Sequence, residues 1–220
     1  MKELLKKLSI CIEFGKADLN SPYPPELKNQ DGAFELTINA LNSGITPEEI
    51  VEAALIPAMS RVGEKFSRNE IFVPQMLMAA KAMKSSMIHI RPYYLKGHAR
   101  KKGTFIIGTV TGDLHDIGKN LVAMMIEGAG WEVVDLGVDV GSDKFISAAE
   151  EYPEAVIGLS AMLTTTMENM RTIITSLKEK KPSQVIIVGG APLNKEFSIR
   201  IGADFYSPDP QGAVEYLKAL

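Results

Sequence analysis

The sequence is poor in the residues that build disulfide frameworks and metal clusters. Its 220 residues include one cysteine and three histidines. The single cysteine, Cys11, excludes an intramolecular disulfide and is typical of a protein from a reducing compartment. We therefore expect a cytoplasmic location.

Long apolar runs and long runs of one charge are also missing. No apolar stretch approaches the roughly 20 residues that a membrane-spanning helix needs. The amphipathic start, MKELLKKLSICIEF, carries Glu3 and lacks a long apolar core, so it does not predict a signal peptide. The formal net charge is -3 and the basic runs are short, which argues against a nucleic-acid or anionic-membrane surface. We expect neither a nucleic-acid nor a membrane partner.

The first part of the chain, residues 1–91, has the spacing of a helical bundle. Thr46 as N-cap, Pro47 at the first helical position and two following glutamates make the clearest helix start. Apolar spacing predicts four helices, over residues 2–14, 34–41, 46–63 and 74–90. Four helices with mostly short connections predict a four-helix bundle.

A polar, basic segment follows the predicted bundle. Residues 92–102, with Pro92 and Gly97, are predicted to be an interdomain linker. His89 lies just before this segment and His98 lies within it. No residue near either histidine supplies a second ligand at metal-binding spacing. We predict that neither histidine is functional.

From residue 103 to residue 220 the chain alternates strand-like and helical segments. The β-branched, apolar runs TFIIGT, AVIGLS and QVIIVG are typical of parallel strands buried on both faces. Strands are predicted at residues 104–109, 132–135, 155–160, 184–189 and 205–206, and helices at 117–130, 143–151, 167–180, 194–201 and 211–220. Five such units predict a flavodoxin-like, doubly wound, five-stranded parallel sheet.

The stretch GDLHDIGKN lies after the first predicted strand and before the helix that follows it. Open α/β sheets bind ligands at the carboxyl ends of their strands, so this is a candidate site. Asp113 and His115 have the spacing of a histidine ligand held by a carboxylate, and Gly118 would let a bulky ligand approach the backbone. The same residues also fit an ordinary loop with an aspartate cap and a solvent-facing histidine.

Other strand ends carry hydroxyl groups and glycines. Ser160, Thr164 and Thr166 follow the third strand, and Gly189 and Gly190 follow the fourth. There is no GxxxxGK[ST] and no GxGxxG motif, so neither a nucleoside triphosphate nor a dinucleotide is indicated. Hydroxyl groups and glycines without a phosphate cradle favour a neutral, elongated ligand.

These motifs, in this order, resemble the cobalamin-binding modules of corrinoid-dependent methyltransferases. GDLHDIGKN, LSAMLTTT (159–166) and VGGAP (188–192) carry the resemblance, which covers nearly the whole chain. Such modules occur in methionine synthase and in the corrinoid proteins of methylamine, methanol and methoxyaromatic metabolism. The resemblance implies a helical cap domain, a cobalamin-binding α/β domain, and cobalamin or a related corrinoid as cofactor, in methylcob(III)alamin and cob(I)alamin forms.

The resemblance also implies roles for individual residues. His115 would ligate the cobalt, Asp113 would accept its other N–H, and the Thr166 hydroxyl would extend this hydrogen-bonded chain at a position where the family often has serine. We call these three side chains the relay. Ser160 and Thr164 would bind groups of the cofactor tail. Gly189 and Gly190 would leave room for its nucleotide, although they equally fit a strand-to-helix turn. The full predicted cofactor-binding set is Phe66, Val73, Met76, Gly112, Asp113, Leu114, His115, Asp116, Ile117, Gly118, Ser160, Leu163, Thr164, Thr166, Gly189, Gly190, Ala191 and Asp209.

The predicted cap contacts are Phe66, Val73 and Met76 in the helical half. Apolar spacing by itself favours ordinary bundle core for these side chains. The resemblance implies that they cover the upper face of the corrin and keep water from the cobalt-bound methyl group.

The implied function is that of a methyl-carrying corrinoid subunit without a complete active site of its own. Its expected partners are a substrate-specific methyltransferase, a second methyltransferase toward tetrahydrofolate or coenzyme M, and a reductive activase. The methyl donor would be a methoxylated aromatic, as in O-demethylase systems, or a methylamine. The small subunit of a cobalamin-dependent mutase and a cobalamin-binding sensor or regulator remain as alternatives.

Overall fold

The structure is a computed structural model and describes residues 2–95 and 102–220. The chain divides into two compact units, one built mainly from residues before 102 and one mainly from residues after it. Each unit is described by itself below. Within the described residues, no helix has both the length and the apolar character that crossing a membrane requires.

The first unit is helical, as the apolar spacing predicts. Its core is lined by side chains at helical intervals, including Leu8 and Ile12 of the first helix and Met59 and Val62 of a later one. The helices are α1 (Lys2–Phe14), α2 (Ala33–Asn42), α3 (Pro47–Ile50), α4 (Ile56–Ser67) and α5 (Val73–Leu95), with a short 3-10 turn at Pro25–Leu27.

The third predicted helix is present, but it is divided and longer than predicted. A π-helical segment, Val51–Leu55, joins α3 to α4, and the N–H of Ile56 bonds to the carbonyl of Val51. Pro57 explains the interruption, because a proline ring collides with the carbonyl four residues before it and a wider turn relieves this collision. The helical run then continues to Ser67, four residues beyond the predicted end at Gly63.

The last helix of this unit is also longer than predicted. Helix α5 passes through Pro92 and ends at Leu95, so residues 92–95 of the predicted linker are helical. The rest of that segment up to residue 101, including Gly97 and His98, lies outside the described residues. The division into residues 1–91, a linker at 92–102 and residues 103–220 stays a prediction.

The second unit alternates strands and helices. Its strands are β1 (Thr104–Thr109), β2 (Glu132–Asp135), β3 (Val156–Ser160), β4 (Ile186–Gly189) and β5 (Phe205–Ser207). Its helices are α6 (Ile117–Gly128), α7 (Ser142–Glu151), α8 (Thr164–Met167), α9 (Asn169–Lys180), α10 (Lys195–Arg200) and α11 (Pro210–Ala219). The one-turn helix α8 was not predicted, and it begins within the hydroxyl-rich stretch that follows β3.

The five strands form one parallel sheet in the order β2-β1-β3-β4-β5. This is the flavodoxin-like order, and it confirms the predicted fold class. Strands β1 and β3 are neighbours, with Thr109 opposite Ser160 at their carboxyl ends. The loops that follow these two strands are therefore brought together at one edge of the sheet.

Candidate functional site

The candidate site lies at the carboxyl ends of β1 and β3, where the direction of strand order changes. In a doubly wound sheet this is the crevice in which ligands bind. The loop after β1 carries Asp113 and His115, and the loop after β3 leads through Met162 and Leu163 to Thr166. Residues about 50 positions apart in the sequence thus meet at one place.

Asp113 is the centre of this arrangement. Its side chain is completely buried, and its Oδ2 accepts hydrogen bonds from the Thr166 hydroxyl at 2.6 Å and the Met162 N–H at 2.7 Å. Its Oδ1 lies 2.7 Å from Nδ1 of His115 and also accepts the His115 N–H at 3.1 Å. Burial by itself raises the pKa of Asp113, but the hydrogen bonds from Thr166, Met162 and His115 outweigh it and hold the pKa well below its usual range. The carboxylate is therefore negatively charged.

The charge on Asp113 determines which nitrogen of His115 is available. Because the carboxylate can only accept, Nδ1 carries the hydrogen and Nε2 of the neutral imidazole keeps its lone pair. The His115 side chain is 53% exposed, so Nε2 can be reached from outside the protein. A histidine held in this way is arranged to bind a metal ion. In the described part of the chain, no group of three or more His, Cys, Asp or Glu side chains is placed to hold a metal ion.

Large exposed apolar side chains occur in the two loops that hold Asp113 and His115. Leu114 is 72% exposed and Ile117 is 69% exposed, and they lie on either side of His115 in the sequence. Met162 and Leu163, whose N–H groups bond to Asp113, are also exposed. We call these four side chains the apolar collar. A cluster of exposed apolar side chains on a folded domain indicates a binding surface.

Gly118, in the first turn of α6, has no structural reason to be glycine. A Cβ atom added there would meet no atom within 4 Å, and no positive φ is found at this position. Glycine in a helix costs stability relative to alanine. The open space beside Gly118 is what a bulky ligand that lies close to the helix would require.

The two glycines after β4 differ from Gly118. Gly190 has φ +137°, and a Cβ atom there would lie 1.8 Å from the carbonyl oxygen of Ala161. At Gly189 the nearest atom would be the Ser207 carbonyl oxygen at 3.1 Å. The turn between β4 and α10 therefore needs glycine at position 190 for the fold itself. Room for a nucleotide at these positions stays a prediction.

The remaining predicted site residues are spread over both units. In the helical unit Met76 is buried, whereas Phe66 and Val73 are partly exposed. In the α/β unit Ser160 is partly exposed, Thr164, Asp116 and Ala191 are exposed, and Asp209 caps α11 by accepting the Gly212 N–H at 2.8 Å. Gly112 adopts φ +82°, which favours glycine. Contacts of all these residues with a cofactor stay predictions.

Several residues that sequence reasoning missed hold the loop in place. The buried hydroxyl of Thr109 donates to the His115 carbonyl at 2.9 Å. Asp139, at φ +53°, accepts the Gly112 N–H at 2.7 Å and donates its own N–H to the Asp113 carbonyl at 3.0 Å. No sequence motif marks Asp139, because its partners lie more than 20 positions away.

The histidine in the helical unit that the structure describes, His89, lies against Phe34 with ring centroids 4.3 Å apart. Its Nε2 is buried and has no hydrogen-bond partner among the described residues. Among the described residues, it belongs to no group of three or more His, Cys, Asp or Glu side chains that could hold a metal ion. Its lack of a function stays a prediction.

The site as a whole fits a corrinoid. One free imidazole nitrogen supplies a single axial ligand, the apolar collar offers a surface for a flat macrocycle, and Gly118 leaves space beside it. Such a ligand brings its own equatorial donors, so the chain needs to provide only His115.

Comparison with known proteins agrees with this chemistry. Residues 103–214 and residues 29–91 each match a B12 binding domain family. The trimethylamine corrinoid protein of Methanosarcina barkeri is 41% identical over 85% of this chain and 88% of its own length. Dimethylamine corrinoid protein 3 of Methanosarcina acetivorans is 40% identical over 80% of this chain and 84% of its own.

A solved structure matches nearly the whole chain as well. It is the methanol:cobalamin methyltransferase complex from Methanosarcina barkeri, with a TM-score of 0.81, 25% identity, and coverage of 99% of this chain and 79% of the matched one. The chain therefore binds a corrinoid and belongs to the B12-binding corrinoid proteins of corrinoid-dependent methyltransferase systems.

Proposed function

We propose that this protein is a methyl carrier that shuttles a methyl group between two methyltransferases. The observation that supports the proposal best is the His115 imidazole, whose Nδ1 is held by buried Asp113 and whose side chain is 53% exposed in the same loop as the collar residues Leu114 and Ile117. When bound, the corrinoid supplies a cobalt ion that accepts a methyl group and releases it to another acceptor.

The residues of this chain would control the axial bond. A negative Asp113 makes the imidazole of His115 a stronger donor, and a proton taken up by the relay weakens it. Thr166 holds Oδ2 of Asp113 at 2.6 Å, so it fixes the carboxylate in the orientation that this control requires. The apolar collar would exclude water from the lower face of the cofactor.

A methylamine is the proposed methyl donor. Two relatives that match most of this chain are named for trimethylamine and dimethylamine, and their identities to it are nearly equal. These names favour a methylamine over a methoxylated aromatic, which the sequence alone left open.

The proposed partners are a methylamine-specific methyltransferase, a second methyltransferase toward tetrahydrofolate or coenzyme M, and a reductive activase, all in the cytoplasm. The matched methanol:cobalamin methyltransferase complex supports the first of these, because that structure pairs a corrinoid protein with a methyltransferase. Donor specificity would reside in the partner enzyme.

The role of His115 can be tested with purified protein and hydroxocobalamin. We expect wild type and His115→Ala both to keep the cofactor after desalting, since the apolar collar remains. Only wild type should show the absorption bands of a corrinoid with an axial histidine. Identical spectra for the two proteins would refute His115 as the axial ligand.

The donor can be tested by following a labelled methyl group. Corrinoid-loaded protein is mixed with ¹³C-labelled trimethylamine or dimethylamine and the methyltransferase specific for that amine, or with labelled methanol and a methanol methyltransferase. We expect label on the protein-bound corrinoid in the amine mixture and much less in the methanol mixture. Equal labelling from methanol would contradict the assignment of a methylamine donor.

A further inference from the structure

Lys119 is an unusual residue in helix α6. It lies one turn after His115, and it is only 2% exposed. Lysine is almost never fully buried unless it is paired, because removing its charge from water is costly. Leucine or methionine could fill the same space on the buried side of α6 without that cost. The buried charge therefore needs a reason beyond packing.

The ammonium group of Lys119 joins two elements. It lies 2.5 Å from Oδ2 of Asp135, the last residue of β2, and 2.7 Å from Oδ1 of the neighbouring Asn120. The other oxygen of Asp135 accepts the Gly137 N–H at 2.9 Å, which fixes the carboxylate. Lys119 thus ties the start of α6 to the carboxyl end of β2.

The network continues to the residue that follows His115. The Asn120 side chain donates to Oδ2 of Asp116 at 3.1 Å, and the Asn120 N–H bonds to the Asp116 carbonyl at 2.8 Å. On the other side, Thr109 and Asp113 hold His115 itself. Two networks therefore hold the turn that carries the imidazole. One contains Thr109 and Asp113 on the β1 side, and the other links Lys119 to Asp135 on the β2 side.

We propose that Lys119 is a positioning residue for the axial ligand. Through Asp135 and Asn120 it fixes the turn that carries His115, and so determines how firmly the imidazole stays on the cobalt. The inference rests on the proposed role of His115, because it concerns the same bond. A metal ligand must be held by its surroundings to keep a productive direction, and changes in such surroundings typically weaken metal binding by about 10- to 100-fold.

The test measures the ratio of corrinoid whose cobalt is bound by His115 to corrinoid whose cobalt is not. It is measured by electron paramagnetic resonance of full-length protein that is labelled with ¹⁵N-histidine, loaded with hydroxocobalamin and reduced to cobalt(II). An axial ¹⁵N of His115 splits each cobalt line into two, whereas the ¹⁴N of the cofactor's own base splits it into three. We expect Lys119→Met, which keeps chain length but removes the charge, to lower this ratio by about tenfold. The amount of bound corrinoid should stay stoichiometric.

Variants of the partner show whether the pair is responsible. Asp135 is 41% exposed, so Asp135→Asn should leave the fold intact and lower the ratio less than Lys119→Met, because an amide oxygen still accepts from Lys119. The double variant should lower the ratio no further than Lys119→Met does, because both substitutions affect the same interaction.

Lys178 provides a matched control in the same unit. Its ammonium lies 2.8 and 2.9 Å from the two oxygens of Asp204. Asp204 comes just before β5, so this pair lies at the amino ends of the strands, opposite the site. Lys178→Met should leave the ratio unchanged. An equal fall in Lys178→Met would overturn the proposal, because the effect would then be a general loosening of the unit.

An unchanged ratio in Lys119→Met would also overturn the proposal. If that variant does not fold, Asp135→Asn decides, and an unchanged ratio there has the same meaning. Failure of the proposed role of His115 would look different, because wild type would then lack the ¹⁵N splitting and would match His115→Ala.

Discussion

Two glycines near the candidate site have opposite structural requirements. An added Cβ atom at Gly118 meets nothing within 4 Å, whereas at Gly190 it would collide with the Ala161 carbonyl. The first glycine is dispensable for the folded chain, and the second is not. Substitution of Gly118 therefore tests whether the ligand needs space there, and substitution of Gly190 tests whether the fold needs glycine.

We expect Gly118→Ala to leave the apoprotein as stable as wild type, or up to about 0.5 kcal/mol more stable, because alanine favours helix. It should nevertheless reduce corrinoid retention after desalting, since the methyl group takes up space that the ligand needs. Gly190→Ala should destabilise the apoprotein by about 1–3 kcal/mol. Denaturant unfolding of both apoproteins checks this, and a large loss of stability in Gly118→Ala would contradict it.

Thr166 allows a test of the relay by near-isosteric changes. Thr166→Val removes the hydroxyl that donates to Oδ2 of Asp113 and leaves a buried carboxylate with one donor fewer. We expect a loss of about 1–3 kcal/mol in the free energy of unfolding and a weaker axial-histidine spectrum. Thr166→Ser keeps the donor and should retain the spectrum of wild type. A normal spectrum in Thr166→Val would show that the relay does not need this hydroxyl.

At the scale of elements, a small charged cluster joins α1 to α4 in the helical unit. Glu13 accepts hydrogen bonds from Arg61 Nε at 2.6 Å and from Lys65 Nζ at 2.8 Å. Arg61 also donates to the Ser9 hydroxyl at 2.8 Å. Burial by itself raises the pKa of Glu13, but the hydrogen bonds from Lys65 and Arg61 outweigh it and lower the pKa below its ordinary value of 4.5.

A carboxylate whose pKa is lowered by folding stabilises the protein above its unfolded pKa, and this contribution is lost as the pH falls through the folded value. We expect Glu13→Gln to cost about 1 kcal/mol near neutral pH, a modest figure because both cations are partly exposed. The difference from wild type should shrink as the pH falls below 4.5 and the carboxylate takes up a proton. Urea unfolding across this pH range measures it.

Glu64 provides the control for Glu13. Its pair with Arg68 is exposed on both sides, with a separation of 3.9 Å, so Glu64→Gln should change stability by less than about 0.5 kcal/mol at any pH. An equal pH dependence of stability in both variants would mean that the cluster between α1 and α4 stabilises the protein no more than an exposed ion pair does.

At the scale of the whole molecule, the α/β unit has a core of its own. Ile106, Ile157 and Val188 from three strands pack with Phe145 and Ile173 from two helices. We therefore expect a polypeptide of residues 102–220 to unfold cooperatively in denaturant and to keep the parallel-sheet circular dichroism signal. It should still bind hydroxocobalamin with an axial histidine. A gradual, non-cooperative transition would show that the helical unit is needed for folding.

The sequence by itself determined the fold class and the local pairing of Asp113 with His115. Apolar runs such as TFIIGT predict strands because backbone and side-chain preferences act over a few residues, and the strand-then-helix alternation allows few topologies. GDLHDIGKN places Asp113 and His115 two residues apart, so their hydrogen bond also follows from local geometry. The spacing of Thr46 and Pro47 likewise predicted the start of α3.

The tertiary structure decided what depends on distant partners. The helical residues 92–95, which continue through Pro92, and the short helix α8 are elements that the local pattern did not predict. The ion pair of buried Lys119 with Asp135 and the hydrogen bond from the Gly112 N–H to Asp139 join segments that are 16 and 27 positions apart in the sequence. Such contacts depend on the strand order, because that order brings the carboxyl ends of the strands together.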